Sequence, residues 1–137
     1  MIGISTKTIY AVAALRELEN ASGNDVLKIK EIAARASIPQ NFLEQILLEL
    51  RKQGILLSIK GAHGGYKLAK NLKDITLKDI VMILEVDAFG DICRTGNMVL
   101  KLFWEDIQKG IEEVFCIPLS ELNHYEMRAN ETFNYSI

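Results

Sequence analysis

The sequence predicts a mainly α-helical fold with one small β-hairpin and a long helix towards its C-terminal end. Three observations carry this expectation. Apolar residues recur at helical spacing in several separate stretches ahead of residue 86. Two strand-like arms then flank "GAHGG", which holds Gly61, Gly64 and Gly65, three of the nine glycines in the chain. Finally, residues 97–115 carry a stripe of large apolar side chains at a helical repeat.

Composition narrows the class before any motif is read. The chain has 137 residues and is 49% hydrophobic, enough for a genuine core in one small domain. There is no run of about 18 uncharged apolar residues, so no membrane span is expected. The opening "MIGISTKTIY" lacks the basic-then-apolar layout of a secretory leader, which makes the cytoplasm the expected location. Two cysteines, Cys93 and Cys116, are too few for a disulfide scaffold and lack close metal spacing. The net charge of -2 conceals an asymmetry. Residues 1–80 hold 12 Lys+Arg against 8 Asp+Glu, whereas residues 81–137 hold 4 against 10. A basic half that meets a polyanion has this pattern, although a solvated surface also varies along a chain.

Taken in order, Ser5 stands where it can cap a first helix, whose inward face is Ile9, Val12, Ala13, Leu15 and Leu18. "NASGND" ends that helix, and "VLKI" reads as a short extended piece. A second helix covers 30–35, with Ile32, Ala33 and Ala36 inward. "ASIP" breaks it, because a residue before proline avoids the helical region. Pro39 then fits the first turn of a third helix, 39–53. Phe42, Leu43, Ile46, Leu47 and Leu50 form its apolar side, and Gly54 closes it as a C′ glycine.

A short helix, a tight turn and a longer helix make a helix-turn-helix. "ILLSIKG" and "GYKLAK" follow directly as a hairpin, and this order is that of a winged helix-turn-helix. A phosphate-loop reading of "GAHGG" fails, since no helix follows and the Lys-Ser/Thr ending is missing. A fourth helix begins in "DITLKDIVMILEV", capped by Thr76 with Asp79 at the capping-box position and with Ile80, Ile83 and Leu84 inward. Residues 87–96 read as a linker loop and candidate sensing region, which divides a winged domain, 1–86, from a dimerisation helix and tail, 97–137. The last helix spans 97–115, and its stripe of Leu100, Phe103, Trp104, Ile107, Ile111 and Val114 either folds back on its own domain or pairs with the same helix of a second copy. Pairing is the expectation, because the winged domain already has enough helices for its core. The final 18 residues are mixed in character and yield no clear element.

Double-stranded DNA is the partner that this pattern implies, and the candidate contacts follow from it. The second helix of a helix-turn-helix offers its early side chains to base edges, here Gln40, Asn41, Glu44 and Gln45. Gln and Asn match adenine, and Glu accepts from the cytosine amino group. Lys7, Lys28, Arg51, Lys52, Lys60 and Lys67 are candidate phosphate partners. Lys60 and His63 stand at the wing tip, within reach of a minor groove. Tyr66 braces the hairpin, with a hydroxyl available to a phosphate. A metal role for His63 lacks a partner at ligand spacing. No nucleophile, base and orienting group fall together, so an enzyme is not expected.

"STKTIYAVAAL", "IKEIAARASIPQNFLEQILLELRKQGIL", "SIKGAHGGYKLAK" and "ITLKDIVMILE" follow one another from residue 5 to residue 85. Together they resemble the bacterial iron–sulfur cluster regulators, a winged-helix family that also includes nitric-oxide-sensing and cysteine-metabolism repressors. "LFWEDIQKGIEEVF" is similar to that family's dimerisation helix. The resemblance implies a homodimeric repressor on an imperfect palindrome, with Gln40, Asn41 and Glu44 in the major groove and residues 60–64 in the minor groove. Phe42 replaces a frequent Tyr, and Ala62 and His63 replace the usual Pro and Gly of the wing tip. Cluster-binding members carry three closely spaced cysteines ahead of the dimerisation helix, and here that segment holds only Cys93. A thiolate-held cluster needs several ligands, so none is expected, and Cys93 is left as a candidate redox switch or a bystander. The effector is not legible. The competing reading is a winged-helix module that binds protein rather than specific DNA.

Overall fold

The computed structural model describes residues 4–21, 26–85, 88–89 and 96–135. Cys93 and most of the expected linker lie outside the described residues. The architecture is mainly helical with one antiparallel hairpin, as the sequence predicts. Helix α1, Thr6–Asn20, is followed by α2, Ile29–Ala36, and α3, Gln40–Lys52. Strands β1, Leu56–Ile59, and β2, Gly65–Leu68, come next, and then α4, Leu77–Leu84. Helix α5 spans Met98–Phe115 and α6 spans Leu122–Tyr135.

The core forms where the faces of α1, α2, α3 and α4 meet. Leu15, Ile32, Leu43, Ile46, Leu47, Leu50 and Ile80 have no exposed surface. Each such side chain contributes about 1.5–3 kcal/mol when withdrawn from water. Two expected core positions are instead exposed. Ile9 is 55% exposed and Phe42 is 56% exposed. Phe42 lies one residue off the α3 stripe, and its ring meets Tyr10 edge-on at 6.4 Å on the surface.

The turn between α2 and α3 is built by Ser37. Its backbone is left-handed, with φ 56°, and the Ile38 N–H donates to the Ala33 carbonyl at 3.0 Å. This Schellman-type closure ends α2 and turns Ile38 into the core. Pro39 caps α3 from outside rather than occupying its first turn, so the helix begins one residue later than expected. Gly54 closes α3 with φ 76°, and the Ile55 N–H reaches back to Leu50 at 3.0 Å.

The hairpin pairs Leu56 with Leu68 and Ile59 with Gly65. It gains a third member from the extended piece after α1. Leu27 and Tyr66 exchange two backbone hydrogen bonds, of 3.0 and 2.8 Å. The wing is thereby sewn to the start of α2.

The expected cap of α1 is corrected. The Ser5 hydroxyl does not cap the helix but donates to Glu85 Oε1 at 2.5 Å. Thr76 and Asp79 do form the expected capping box, with bonds of 3.1 and 2.9 Å. A second correction concerns the C-terminal residues, which form α6 rather than an ill-defined tail. After α5 the chain returns to the winged domain. The Leu77 N–H donates to Ile117 at 3.0 Å, the Leu119 N–H donates to Ile75 at 2.8 Å, and the Leu119 side chain enters the core at 4% exposure.

Candidate nucleic-acid interface

Helix α3 advances about 100° per residue, so its buried positions locate its outward pole. Leu43, Ile46, Leu47 and Leu50 are buried. Opposite them stand Asn41, Gln45, Leu48 and Lys52, all exposed. Gln40, Glu44 and Arg51 flank that pole on one side, and Phe42 and Glu49 flank it on the other, towards α1. The structure thus places Asn41 and Gln45 at the centre of the outward face of α3. Leu48, 38% exposed, is a member that the sequence reading missed. The sequence reading placed it on neither face, and the angle to the buried stripe reveals it.

The basic candidates divide by their surroundings. Arg51 and Lys52 are exposed in the last turn of α3, where cations also favour the helix dipole. Lys60 is exposed where β1 enters the wing tip. Lys67 and Tyr66 are half-buried on β2, and the Tyr66 ring packs against the core, as expected of a brace. Lys7 is not free. Its Nζ lies 3.1 Å from Glu49 Oε1, which also accepts from Gln45 Nε2 at 3.3 Å.

Lys28 precedes α2, and its N–H donates to the Glu31 carboxylate at 3.3 Å. A lysine side chain has no acceptor, so this is half a capping box. Lys28, Glu31 and Arg35 share an open groove with Ala62, His63 and Gly64 of the wing. The juxtaposition of Lys28, Arg35 and His63 was not legible in sequence, because the Leu27–Tyr66 bridge creates it. Arg35 was missed for that reason.

Helix α5 has no buried residue. Leu100, Phe103, Trp104 and Ile107 are 41%, 52%, 39% and 40% exposed, and Val114 is 71% exposed. Ile111 is half-buried. Among the described residues, α5 meets the rest of its own chain in its C-terminal half, where Lys78 pairs with Glu112 at 3.4 Å and Phe89 meets Phe115 at 5.5 Å.

The Rrf2 family model, described as an iron-dependent transcriptional regulator, matches residues 4–117. The chain belongs to the Rrf2 family. Its fold is similar to that of the T. potens regulator IscR, at a TM-score of 0.76 and 35% identity over 93% of this chain and 90% of that one. It is equally similar to CymR, the global cysteine regulator of B. subtilis, at a TM-score of 0.77 and 30% identity over 91% and 98% of the two chains. An rrf2-like HTH-type transcriptional regulator of Rhodobacter capsulatus is 44% identical over 81 residues, which are 57% of this chain and 54% of that protein. The chain thus spans about half the length of that relative.

The iron dependence in the Rrf2 description does not match this chain's ligands. A thiolate-bound cluster requires several cysteines in reach, and the sequence has two. Cys116 is exposed at the C-terminal cap of α5. Among the described residues no group of three or more His, Cys, Asp or Glu is placed to hold a metal. Nor is any described helix long and apolar enough to cross a membrane.

Proposed function

We propose that this Rrf2-family chain is a homodimeric transcriptional repressor that binds a two-fold operator. Helix α3 enters the major groove and the wing reaches the adjacent minor groove. The observation that carries this reading is the outward face of α3. Asn41, Gln45 and Lys52 project from a helix whose opposite face is fully buried, with Glu44 and Gln40 alongside. A polar helix face held rigidly by a core is what base-edge readout requires. Two half-sites need a two-fold partner, and the exposed stripe on α5 supplies a self-complementary surface for one.

Within this reading, Gln40, Asn41, Glu44 and Gln45 read bases. Lys28, Arg51, Lys52, Lys60 and Lys67 meet phosphates, and His63 approaches from the wing. Tyr66 acts chiefly by holding the wing in place.

The test is a binding titration on a duplex enriched from genomic fragments and on its scrambled counterpart, at several salt concentrations. Gln40→Ala weakens the enriched site by about 1–3 kcal/mol and leaves scrambled DNA nearly unaffected. Lys60→Ala weakens both and lowers the slope of log affinity against log salt by about one unit. If neither variant changes affinity or slope, this face does not hold DNA, and a protein-binding role takes its place.

A further inference from the structure

We infer that Glu49 is a positioning residue of the reading face: it holds the Gln45 amide in one orientation and keeps Lys7 from the DNA backbone. This rests on the DNA-binding reading above and deepens it.

The geometry is a three-residue junction between α1 and α3. Glu49 Oε1 accepts from Lys7 Nζ at 3.1 Å and from Gln45 Nε2 at 3.3 Å. Gln45 and Glu49 are one helical turn apart, so the contact costs α3 no distortion. The Lys7 and Glu49 side chains are 34% and 28% exposed, which shields the pair partly from solvent.

A carboxylate has no proton to donate at neutral pH. Only the nitrogen end of the Gln45 amide can therefore face it, and a flipped amide would set oxygen against oxygen. Glu49 engages one of the two Nε2 hydrogens, and the acceptor left for an outside partner is Oε1, which takes no partner among the described residues. In the major groove an acceptor matches the amino groups of adenine and cytosine. It opposes guanine O6 and N7 and thymine O4, which are themselves acceptors. Glu49 thus fixes which end of an ambidextrous amide holds the acceptor at the centre of the reading face. The same carboxylate neutralises Lys7, so that cation is engaged within the chain and does not release a counterion from DNA.

The experiment uses the full chain and a pool of randomised duplexes. The unaltered chain enriches adenine or cytosine at one position in each half-site, and Gln45→Ala abolishes that preference. Glu49→Ala frees the amide to flip, so the preference at that same position falls from about tenfold towards parity while the other positions are retained. It also releases Lys7, and the salt slope rises by about one unit. Combining Glu49→Ala with Lys7→Met removes the added slope but leaves the relaxed preference. Thermal unfolding by circular dichroism confirms that each variant is folded. A Glu49→Ala variant that is folded and keeps both the preference and the slope of the unaltered chain overturns the inference alone. An unaltered chain that enriches no sequence overturns the DNA-binding reading first.

Discussion

Glu85, just past the end of α4, accepts the Thr8 hydroxyl at 2.7 Å across 77 positions of sequence. The same oxygen accepts the Ser5 hydroxyl at 2.5 Å and the Ser5 N–H at 2.8 Å. Thr8 is 1% exposed, a buried polar residue, and this carboxylate satisfies it. The start of α1 and the end of α4 are thereby locked together.

This lock should make stability depend on pH. Burial raises the Glu85 carboxyl, but the hydrogen bonds from Ser5 and Thr8 and the nearby Lys7 charge outweigh it and hold it below the usual glutamate value. A depressed folded-state pKa contributes stability that is fully present above the unfolded-state value of about 4.3 and is lost as pH falls through the folded one. Glu85→Gln should lower stability at pH 7 and flatten its decline in acid. Denaturant unfolding from pH 7 downwards measures both, and a Gln variant with the acid profile of the unaltered chain would refute the assignment. Thr8→Val should cost about 1–3 kcal/mol at neutral pH.

The wing tip tolerates no side chain at two of its glycines. A Cβ on Gly64 would stand 2.1 Å from the Ile59 carbonyl oxygen, and one on Gly65 would stand 2.4 Å from that of Leu27. Gly65 also has φ 153°. Gly64→Ala and Gly65→Ala should each destabilise by more than about 1 kcal/mol and loosen the hairpin. Gly61→Ala meets nothing within 4 Å, but its φ of 106° remains strained. Amide exchange at Leu27 and Tyr66 should accelerate most in Gly65→Ala, because its new methyl group pushes on that bridge.

Replacing Trp104 and Ile107 together with Glu should convert a dimer to a monomer. Both lie in the middle of the exposed α5 stripe, and neither belongs to the core. The variant should therefore keep the melting behaviour of its winged domain while losing mass in sedimentation equilibrium. An unaltered chain that sediments as a monomer at micromolar concentration would remove α5 as the interface.

Iron should not be bound in stoichiometric amounts. The sequence holds two cysteines, and Cys116 lies exposed at the C-terminal cap of α5. Protein purified without oxygen should lack cluster absorption in the visible range and carry little iron. A full complement of iron that disappears in Cys93→Ser would reverse this expectation and require ligands other than thiolates.

By itself the sequence determined the helices from α1 to α5 and where the hairpin lies, but not α6. Helical periodicity, Gly54, and the Thr76–Asp79 box are local signals, and each acts within a few residues of itself. The stretches "IKEIAARASIPQNFLEQILLELRKQGIL" and "SIKGAHGGYKLAK" likewise marked α3 and the wing. The tertiary structure decided the relationships that cross the chain. Ser5 looked like a cap because its neighbours are helical, yet a carboxylate 80 positions away captured its hydroxyl. Lys7 looked like a free cation, yet α1 packs against α3 and brings Glu49 to it. Phe42 was misassigned by a stripe read too broadly, since the width of a buried face depends on how neighbouring helices close over it. Leu119 joined the core only because α5 returns its chain to the start of α4. Local propensity depends on a residue and its near neighbours, whereas an ion pair or a buried side chain depends on which distant surface arrives beside it.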